Sequence, residues 1–312
     1  MNSSSLDFGS IDSSSTIGFI GLGLMGQSIA LRLAESGYRL CVWNRESDRY
    51  GLLKAAGAAI ADSPREVARE CDVVCLCVLD AAAVEAVVFG EHGLLSATNR
   101  LPGTNRLPAT NRLRLIVDFS TVQPDDTRSF ARRAAGASCA WIDAPVSGGP
   151  DAAKRGELTL MLGGPLDAVR RATPLLSHLG SRISHVGDTG KGQEMKVLNQ
   201  ALVGTTFVML AEALALARRL GLPLEAVPRC LEGGFADSAG LQRVWPRMAA
   251  EGFEPPTGRA GQMLKDLKNV DAVRSSTGVA LPLLEAALEQ YRRYVESAGP
   301  EVETVSISRL YS

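Results

Sequence analysis

The run Gly21-Leu-Gly-Leu-Met-Gly26 constrains this chain more than any other stretch, because an apolar segment, Ile17 to Ile20, enters it and a helical pattern leaves it. It reads as strand, glycine turn, helix. Three glycines at this spacing let the backbone turn tightly, approach a pyrophosphate closely and pack the helix on a sheet, while N–H groups at the helix start attract the anion. A nucleotide is therefore expected at Gly21, Leu22, Gly23, Leu24, Met25 and Gly26, although six residues alone also suit a plain tight turn. The next strand, Leu40 to Trp43, ends in Asn44 and Arg45, about twenty residues on, where a dinucleotide site reads the adenosine ribose. An Asp or Glu there favours NAD through the ribose 2′-OH, whereas an Arg pairs with a 2′-phosphate. Arg45, with Asn44 beside it and Arg49 a turn later, points to NADP(H) as the preferred cofactor. NAD(H) stays possible, because Glu46 and Asp48 blunt the positive field. The competing view is that both arginines are solvated charges opening a surface helix.

With 312 residues, 46% hydrophobic content and 31 glycines, the chain is long enough for two domains with sizeable cores. A net charge of −1 without long basic runs leaves no electrostatic footprint for nucleic acid or a membrane surface. Small-molecule work is the expectation. Residues 1–16 are Ser-rich, carry Asp7 and Asp12, and have neither a basic nor an apolar signal region, so a disordered tail is expected there. No stretch is expected to span a bilayer. The six cysteines (Cys41, Cys71, Cys75, Cys77, Cys139, Cys230) lie mostly in apolar runs and form no C-x-x-C pair, as in a reduced, cytoplasmic protein. His92, His178 and His185 are scattered without i, i+4 spacing, so no metal site is expected. His178 and His185 read as turn or surface residues.

From Ile17 to about Val186, short β-branched runs alternate with helical stretches, the mark of parallel strands joined by helical crossovers. The expected strands are Ile17 to Ile20, Leu40 to Trp43, Val73 to Val78, Leu115 to Asp118, Cys139 to Ile142, Leu158 to Leu162 and Arg182 to His185. Between Thr98 and Leu113 the motif Thr-Asn-Arg-Leu-Pro occurs twice, and a third copy from Thr110 stops short of proline. Too short for a solenoid and rich in turn formers, the segment 97–113 reads as an expanded loop. After Gly192 an apolar pattern of helical spacing runs from Met195 to Leu220, nearly all round the helix, which suggests burial between a first domain and further helices. Leu224 to Leu231, Ala260 to Val273 and Leu283 to Val295 supply those partners. The fold class is α/β: a Rossmann-type, doubly wound, mostly parallel sheet at 17–188, joined by a long helix to an all-helical substrate and dimerisation domain at 189–312.

A nicotinamide site also needs groups at the carboxyl ends of the strands, a proton-transfer residue and a place for substrate. In Asp118-Phe-Ser-Thr-Val122, Ser120 and Thr121 would stand at that edge, although Thr121 also suits a helix N-cap near Pro124. Leu79, just past the Val73 run, is placed with the cofactor residues. In Asp143-Ala-Pro-Val-Ser-Gly-Gly149, the Ser147 hydroxyl and the Gly148 and Gly149 amides could form an anion pocket, or a bland glycine turn. In Gly190-Lys-Gly-Gln-Glu-Met-Lys-Val-Leu-Asn199, Lys196 and Asn199 share a helix face. Burial would lower the lysine's pKa toward values suited to proton transfer, and a snorkelling lysine is the other reading. Lys265, in Lys265-Asp-Leu-Lys268, could reach a cofactor or lie on a solvated face.

These motifs and their order resemble the β-hydroxyacid dehydrogenase family, which includes 3-hydroxyisobutyrate dehydrogenase and 2-hydroxy-3-oxopropionate (tartronate semialdehyde) reductase. The resemblance covers about residues 17 to 297. It implies that Lys196 is the catalytic acid/base, that Asn199 orients the substrate oxygen, that Ser120 or Thr121 and Lys265 contact cofactor, and that Ser147, Gly148 and Gly149 hold the substrate carboxylate. It further implies a short 3-hydroxy acid or its semialdehyde as substrate, lying between the domains, and a homodimer or homotetramer. Members usually carry Pro-Met-Ala and a later Asn after the glycine motif, whereas Ser28, Ile29 and Arg32 stand here around a retained Ala30. Gln200 replaces a common second Asn and bears on substrate shape, as do the distal candidates Phe235, Asp237, Ser238 and Trp245. An imine reductase has similar architecture but lacks a lysine at the position of Lys196. A non-catalytic NADP sensor or interaction protein on the same fold is the alternative from another class.

Overall fold

Runs rich in Val, Ile and Leu become the strands of one nine-stranded sheet in the computed structural model, which describes residues 11–12, 14–96 and 111–311. The strands are β1 (Thr16–Ile20), β2 (Arg39–Trp43), β3 (Ala59–Ile60), β4 (Val73–Leu76), β5 (Leu115–Asp118), β6 (Ala140–Asp143), β7 (Val146–Ser147), β8 (Leu158–Gly163) and β9 (Gly180–Gly187). Their order is β3-β2-β1-β4-β5-β6-β8-β7, with β9 beside β8. Pairing is parallel from β3 through β6 and between β8 and β9, and antiparallel where β8 meets β6 and β7. The sheet order thus reverses between β1 and β4, which makes the crevice beyond their carboxyl ends the ligand position of an open α/β sheet.

Side chains alternate across the sheet and build two cores. Phe19, Val42, Cys75 and Val117 face one side with α1 (Leu24–Glu35), α2 (Gly51–Ala55), α6 (Gly149–Arg155) and α7 (Leu166–Leu176). Ile20, Cys41, Val74 and Ile116 face the other with α3 (Pro64–Glu70), α4 (Ala81–Phe89) and α5 (Pro124–Gly136). Helix starts follow local chemistry: Ser63 caps α3 ahead of Pro64, and Asp80 Oδ1 accepts the Ala83 N–H at 2.8 Å to cap α4. Arg32 Nε donates to the His178 carbonyl at 3.0 Å, so this departure from the family pattern ties α1 to the turn before β9.

The structure amends several sequence readings. The two-residue strands β3 and β7 are too short to show alternation in a sequence. β4 stops at Leu76, and two residues on the Val78 N–H donates to the Ser120 hydroxyl at 3.0 Å. Ile11 is only 3% exposed and packs with the first core, and the Ser14 carbonyl accepts from Arg39, so Ile11 and Ser14 join the fold rather than a tail. Residues 1–10 and most of the repeat loop, 97–110, lie outside the described residues. Buried Asn111 closes that segment by accepting the Leu113 N–H and donating to the Leu94 carbonyl.

The chain divides into units Met1–Lys196 and Val197–Ser312, and the boundary falls inside α8 (Lys191–Arg219). Among the described residues the second unit is helical: α9 (Val227–Leu231), α10 (Ala239–Ala249), α11 (Ala260–Thr277), α12 (Pro282–Ala298) and a 3-10 segment (Thr304–Tyr311). Its core gathers Val208, Leu214, Trp245, Leu267 and Tyr291. α10 was not expected, although Leu241, Trp245 and Met248 have helical spacing and Ser238 accepts the Leu241 N–H at 3.0 Å as N-cap. Contrary to expectation, α8 is long and apolar enough, by length and composition alone, to cross a membrane. A core helix passes the same test, and Val208, Leu210, Ala211, Leu214 and Ala217 are buried in the second unit. Nor is α8 covered all round: Leu198, Leu202, Met209 and Leu216 are exposed.

Candidate active site

The glycine turn leaves β1 with Gly21 at φ +95°, where a Cβ would stand 2.3 Å from the Cys77 carbonyl oxygen. At Gly26 a Cβ would lie 1.9 Å from the Gly21 oxygen. Both positions exclude any larger residue, because the clash is with backbone. Gly23 differs, since a Cβ there meets nothing within 4 Å. It is the N-cap of α1, whose first turn has neither a side-chain cap nor an acidic residue. Open space before an uncapped helix start fits the pyrophosphate of a dinucleotide. Leu24 is exposed and Met25 half-buried in that first turn, and Leu22 is buried.

Asn44 locks this turn to the end of β2. Its Oδ1 accepts the Leu22 N–H at 2.8 Å, and its Nδ2 donates to the Glu46 carbonyl at 2.9 Å and to Glu46 Oε2 at 3.1 Å. The Tyr50 hydroxyl accepts from the Asn44 N–H and donates to the Asn44 carbonyl, each at 2.8 Å. Arg45 projects outward and pairs with Glu46, and Arg49 lies 3.8 Å from Asp48. At the end of β4 Leu79 is exposed. Beside it Ser120 is buried, its N–H held by Asp118 Oδ1 at 2.9 Å, while half-buried Thr121 is not the cap of α5, a place Gln123 takes.

The start of α8 is built on Asp143, a residue to which the sequence reading gave no role. Fully buried, it accepts the Gly190 N–H on Oδ1 at 2.8 Å and the Gln193 N–H on Oδ2 at 3.0 Å. Burial pushes its carboxyl above the ordinary value, against the pull of the backbone N–H groups of Gly190, Gln193 and Gly192. Gln193, also unremarked in the sequence, is fully buried and donates to the Ser120 carbonyl at 2.8 Å while its Oε1 accepts the Val122 N–H at 3.3 Å. No signal in the sequence marked either residue, and the packing around them is tight: a Cβ at Gly192 would lie 2.4 Å from the Met161 carbonyl. One turn along, Lys196 is 7% exposed and its Nζ donates to the Val146 carbonyl at 2.9 Å. A snorkelling lysine would reach water, so that alternative is not what the fold adopts. The bond sets the ammonium beside Ser147, which is half-buried, followed by Gly148 at φ +131° and Gly149 at φ +79°.

In the second unit, Asn199 Nδ2 donates to Gln200 Oε1 at 2.8 Å, Gln200 Nε2 donates to Asp266 Oδ2 at 2.6 Å, and Lys265 Nζ pairs with Asp266 Oδ1 at 3.0 Å. Three residues singled out in the sequence therefore meet through Asp266, which was not. The distal candidates do not gather: Phe235 is fully exposed, Asp237 accepts from Gly233 and Gln242, Ser238 caps α10, and Trp245 is core with its Nε1 on the Leu224 carbonyl at 2.8 Å. His185 Nε2 lies 2.9 Å from the Gly164 carbonyl, and the His178 ring packs edge-on to Tyr38.

Residues 16–187 match the family described as the NAD binding domain of 6-phosphogluconate dehydrogenase, and residues 190–311 match that described as NAD-binding of NADP-dependent 3-hydroxyisobutyrate dehydrogenase. The chain is 37% identical over 239 residues to 2-hydroxy-3-oxopropionate reductase of Escherichia coli (strain K12), covering 77% of each protein. The chain belongs to the β-hydroxyacid dehydrogenase family. A crystal structure of 3-hydroxyisobutyrate dehydrogenase from Salmonella typhimurium is similar at a TM-score of 0.81 and 26% identity, over 95% of this chain and 99% of that one. An imine reductase from Pseudomonas sp. shares the fold alone, at a TM-score of 0.60 and 20% identity over 96% of this chain and 99% of that one. This β-hydroxyacid dehydrogenase is an NAD(P)-dependent oxidoreductase with a Rossmann domain followed by a helical domain.

Proposed function

We propose that this dehydrogenase interconverts a short 3-hydroxy acid and its semialdehyde, as a 2-hydroxy-3-oxopropionate reductase or 3-hydroxyisobutyrate dehydrogenase does, with NADP(H) preferred and Lys196 as acid/base. The observation that carries this reading is the buried Lys196 ammonium, anchored on the Val146 carbonyl at 2.9 Å and so held next to Ser147. A lysine side chain held out of water at the strand ends is placed to exchange a proton with a reacting oxygen, and proton transfer of this kind contributes about 10²–10⁴ in rate.

In the reductive direction Lys196 Nζ gives a proton to the carbonyl oxygen as the C–H bond forms at the carbonyl carbon; in the oxidative direction it takes the hydroxyl proton. The nicotinamide cofactor, when bound, supplies or accepts the hydride. Gly21 to Gly26, Asn44, Arg45, Leu79, Ser120, Thr121 and Lys265 are the residues assigned to holding it. The Ser147 hydroxyl and the Gly148 and Gly149 amides hold the substrate carboxylate, and Asn199 orients the reacting oxygen. Gln193 and Asp143 keep the start of α8, and with it Lys196, in register with the strand ends.

The helical domain is proposed to form a homodimer or homotetramer, supported by the exposed apolar stripe Leu198, Leu202, Met209 and Leu216 on α8. A cytoplasmic setting fits the free thiols, of which Cys41, Cys71, Cys75 and Cys139 are buried. Lys196→Ala is expected to bind NADPH as the wild type does, by cofactor fluorescence, and to lose about 10²–10⁴ in turnover with a panel of semialdehydes and 3-hydroxy acids. Full turnover in that variant would sink the assignment of Lys196. Tight NADPH binding by the wild type with no consumption on any panel member would favour a sensor, and consumption only with cyclic imines would favour the imine reductase reading.

A further inference from the structure

The end of β2 carries more than the arginine that suggests NADP. Asn44 is 9% exposed, and its side chain is committed to the Leu22 N–H and to Glu46, so it braces the site from behind. What remains to meet the adenosine ribose is Arg45 and Glu46, whose side chains are 85% and 51% exposed. These two are paired: Arg45 Nε donates to Glu46 Oε1 at 2.8 Å, and Nη2 lies 2.7 Å from the same oxygen. The bond from Arg45 to Glu46, more than any other contact, holds the Glu46 carboxyl below the ordinary carboxylate range, so it is ionised at neutral pH. Arg49, the second cation of this edge, stands next to Asp48. Two cations are thus matched by two carboxylates.

We infer that Glu46 is a specificity-determining residue that holds the choice between NADP(H) and NAD(H) close to balance. A 2′-phosphate brings about two negative charges at neutral pH. To use Arg45 it must compete with a carboxylate already hydrogen-bonded to that guanidinium, and then lie near that carboxylate. A ribose 2′-OH meets the opposite situation, because Glu46 is the acceptor that a dinucleotide site uses to bind it. The same side chain therefore weakens one cofactor and supports the other. Its position is set by Asn44, which also grips the glycine turn, so Glu46 is not free to swing away at no cost.

The inference rests on the reading that the Asn44-Arg45 edge receives the adenosine ribose, and the experiment separates the two. Dissociation constants for NADPH and NADH, from cofactor fluorescence, and kcat/KM for each cofactor are measured for the wild type, Glu46→Gln and Arg45→Ala. The wild type is expected to favour NADPH by no more than about tenfold, and Glu46→Gln to raise the NADPH-to-NADH ratio by about tenfold, through tighter NADPH and weaker NADH. Arg45→Ala is expected to lose NADPH affinity and keep that for NADH. If Arg45→Ala loses NADPH affinity but Glu46→Gln leaves the ratio where it was, Glu46 is no determinant while the ribose edge stands. If Arg45→Ala changes neither affinity, the ribose edge itself is misassigned and the inference goes with it. A wild-type preference of a thousandfold for either cofactor would also overturn it.

Discussion

The start of α8 and the end of β2 both stand at the carboxyl edge of the sheet, yet they are held by opposite means. At α8, Asp143 and Gln193 are fully buried and Lys196 nearly so, and backbone groups satisfy them. At β2, Arg45, Glu46, Asp48 and Arg49 are exposed and pair with their own chain neighbours. A buried donor that loses its partner costs the full desolvation of that group, whereas an exposed charge is screened and recovers water. A change in the first region is therefore expected to displace Lys196, and one in the second only to shift the balance between charges at the surface.

The comparison is tested most severely at Asp143. Asn offers one good acceptor where the carboxylate offers two, so Asp143→Asn strands a backbone N–H of α8 and is expected to lower unfolding free energy by about 1–3 kcal/mol in urea titration. The pH dependence has a definite sign. Because burial raises the Asp143 pKa in the folded chain, between the ordinary value and the raised one the folded chain binds more protons than the unfolded chain, and stability falls as pH rises through that window. The variant lacks this slope, so the wild-type margin should shrink from acid toward neutral pH; a margin that grows would contradict the raised pKa. Next in size is Gln193→Ala, which strips partners from the Ser120 carbonyl and the Val122 N–H and is expected to cost about 1–2 kcal/mol and to reduce kcat. Unchanged stability and turnover would show that α8 is positioned without this amide. The smallest effect belongs to Arg49→Ala, since that side chain is 52% exposed and 3.8 Å from Asp48. NADPH affinity should change by no more than about twofold, and a tenfold loss would move the phosphate-reading role from Arg45 to Arg49.

Regular, extended features were legible in the sequence. The glycine motif, the long strands and the long helix announce themselves through periodicity and spacing, and their bounds differ from the observed ones by one or two residues in most cases. Two-residue strands carry no period, so β3 and β7 were invisible. α10 was readable from Ser238 and the spacing of Leu241, Trp245 and Met248, but Ser238 and Trp245 were read as bearing on substrate shape instead. Asp143 and Gln193 were passed over for a different reason: their partners lie 47, 50 and 73 residues away along the chain, and no local pattern connects them.

The sequence by itself determined the class of the protein. The spacing of the three glycines, strands with alternating faces and a lysine within an apolar helix are local patterns, each written in a few adjacent residues. The tertiary structure alone decided which polar groups are spent on holding the fold and which stand at the site. Asn44 and Gln200 became braces, Asp143 a distant cap and Glu46 the partner of Arg45, because hydrogen bonds and ion pairs are settled by three-dimensional proximity and burial, which residue order does not encode locally.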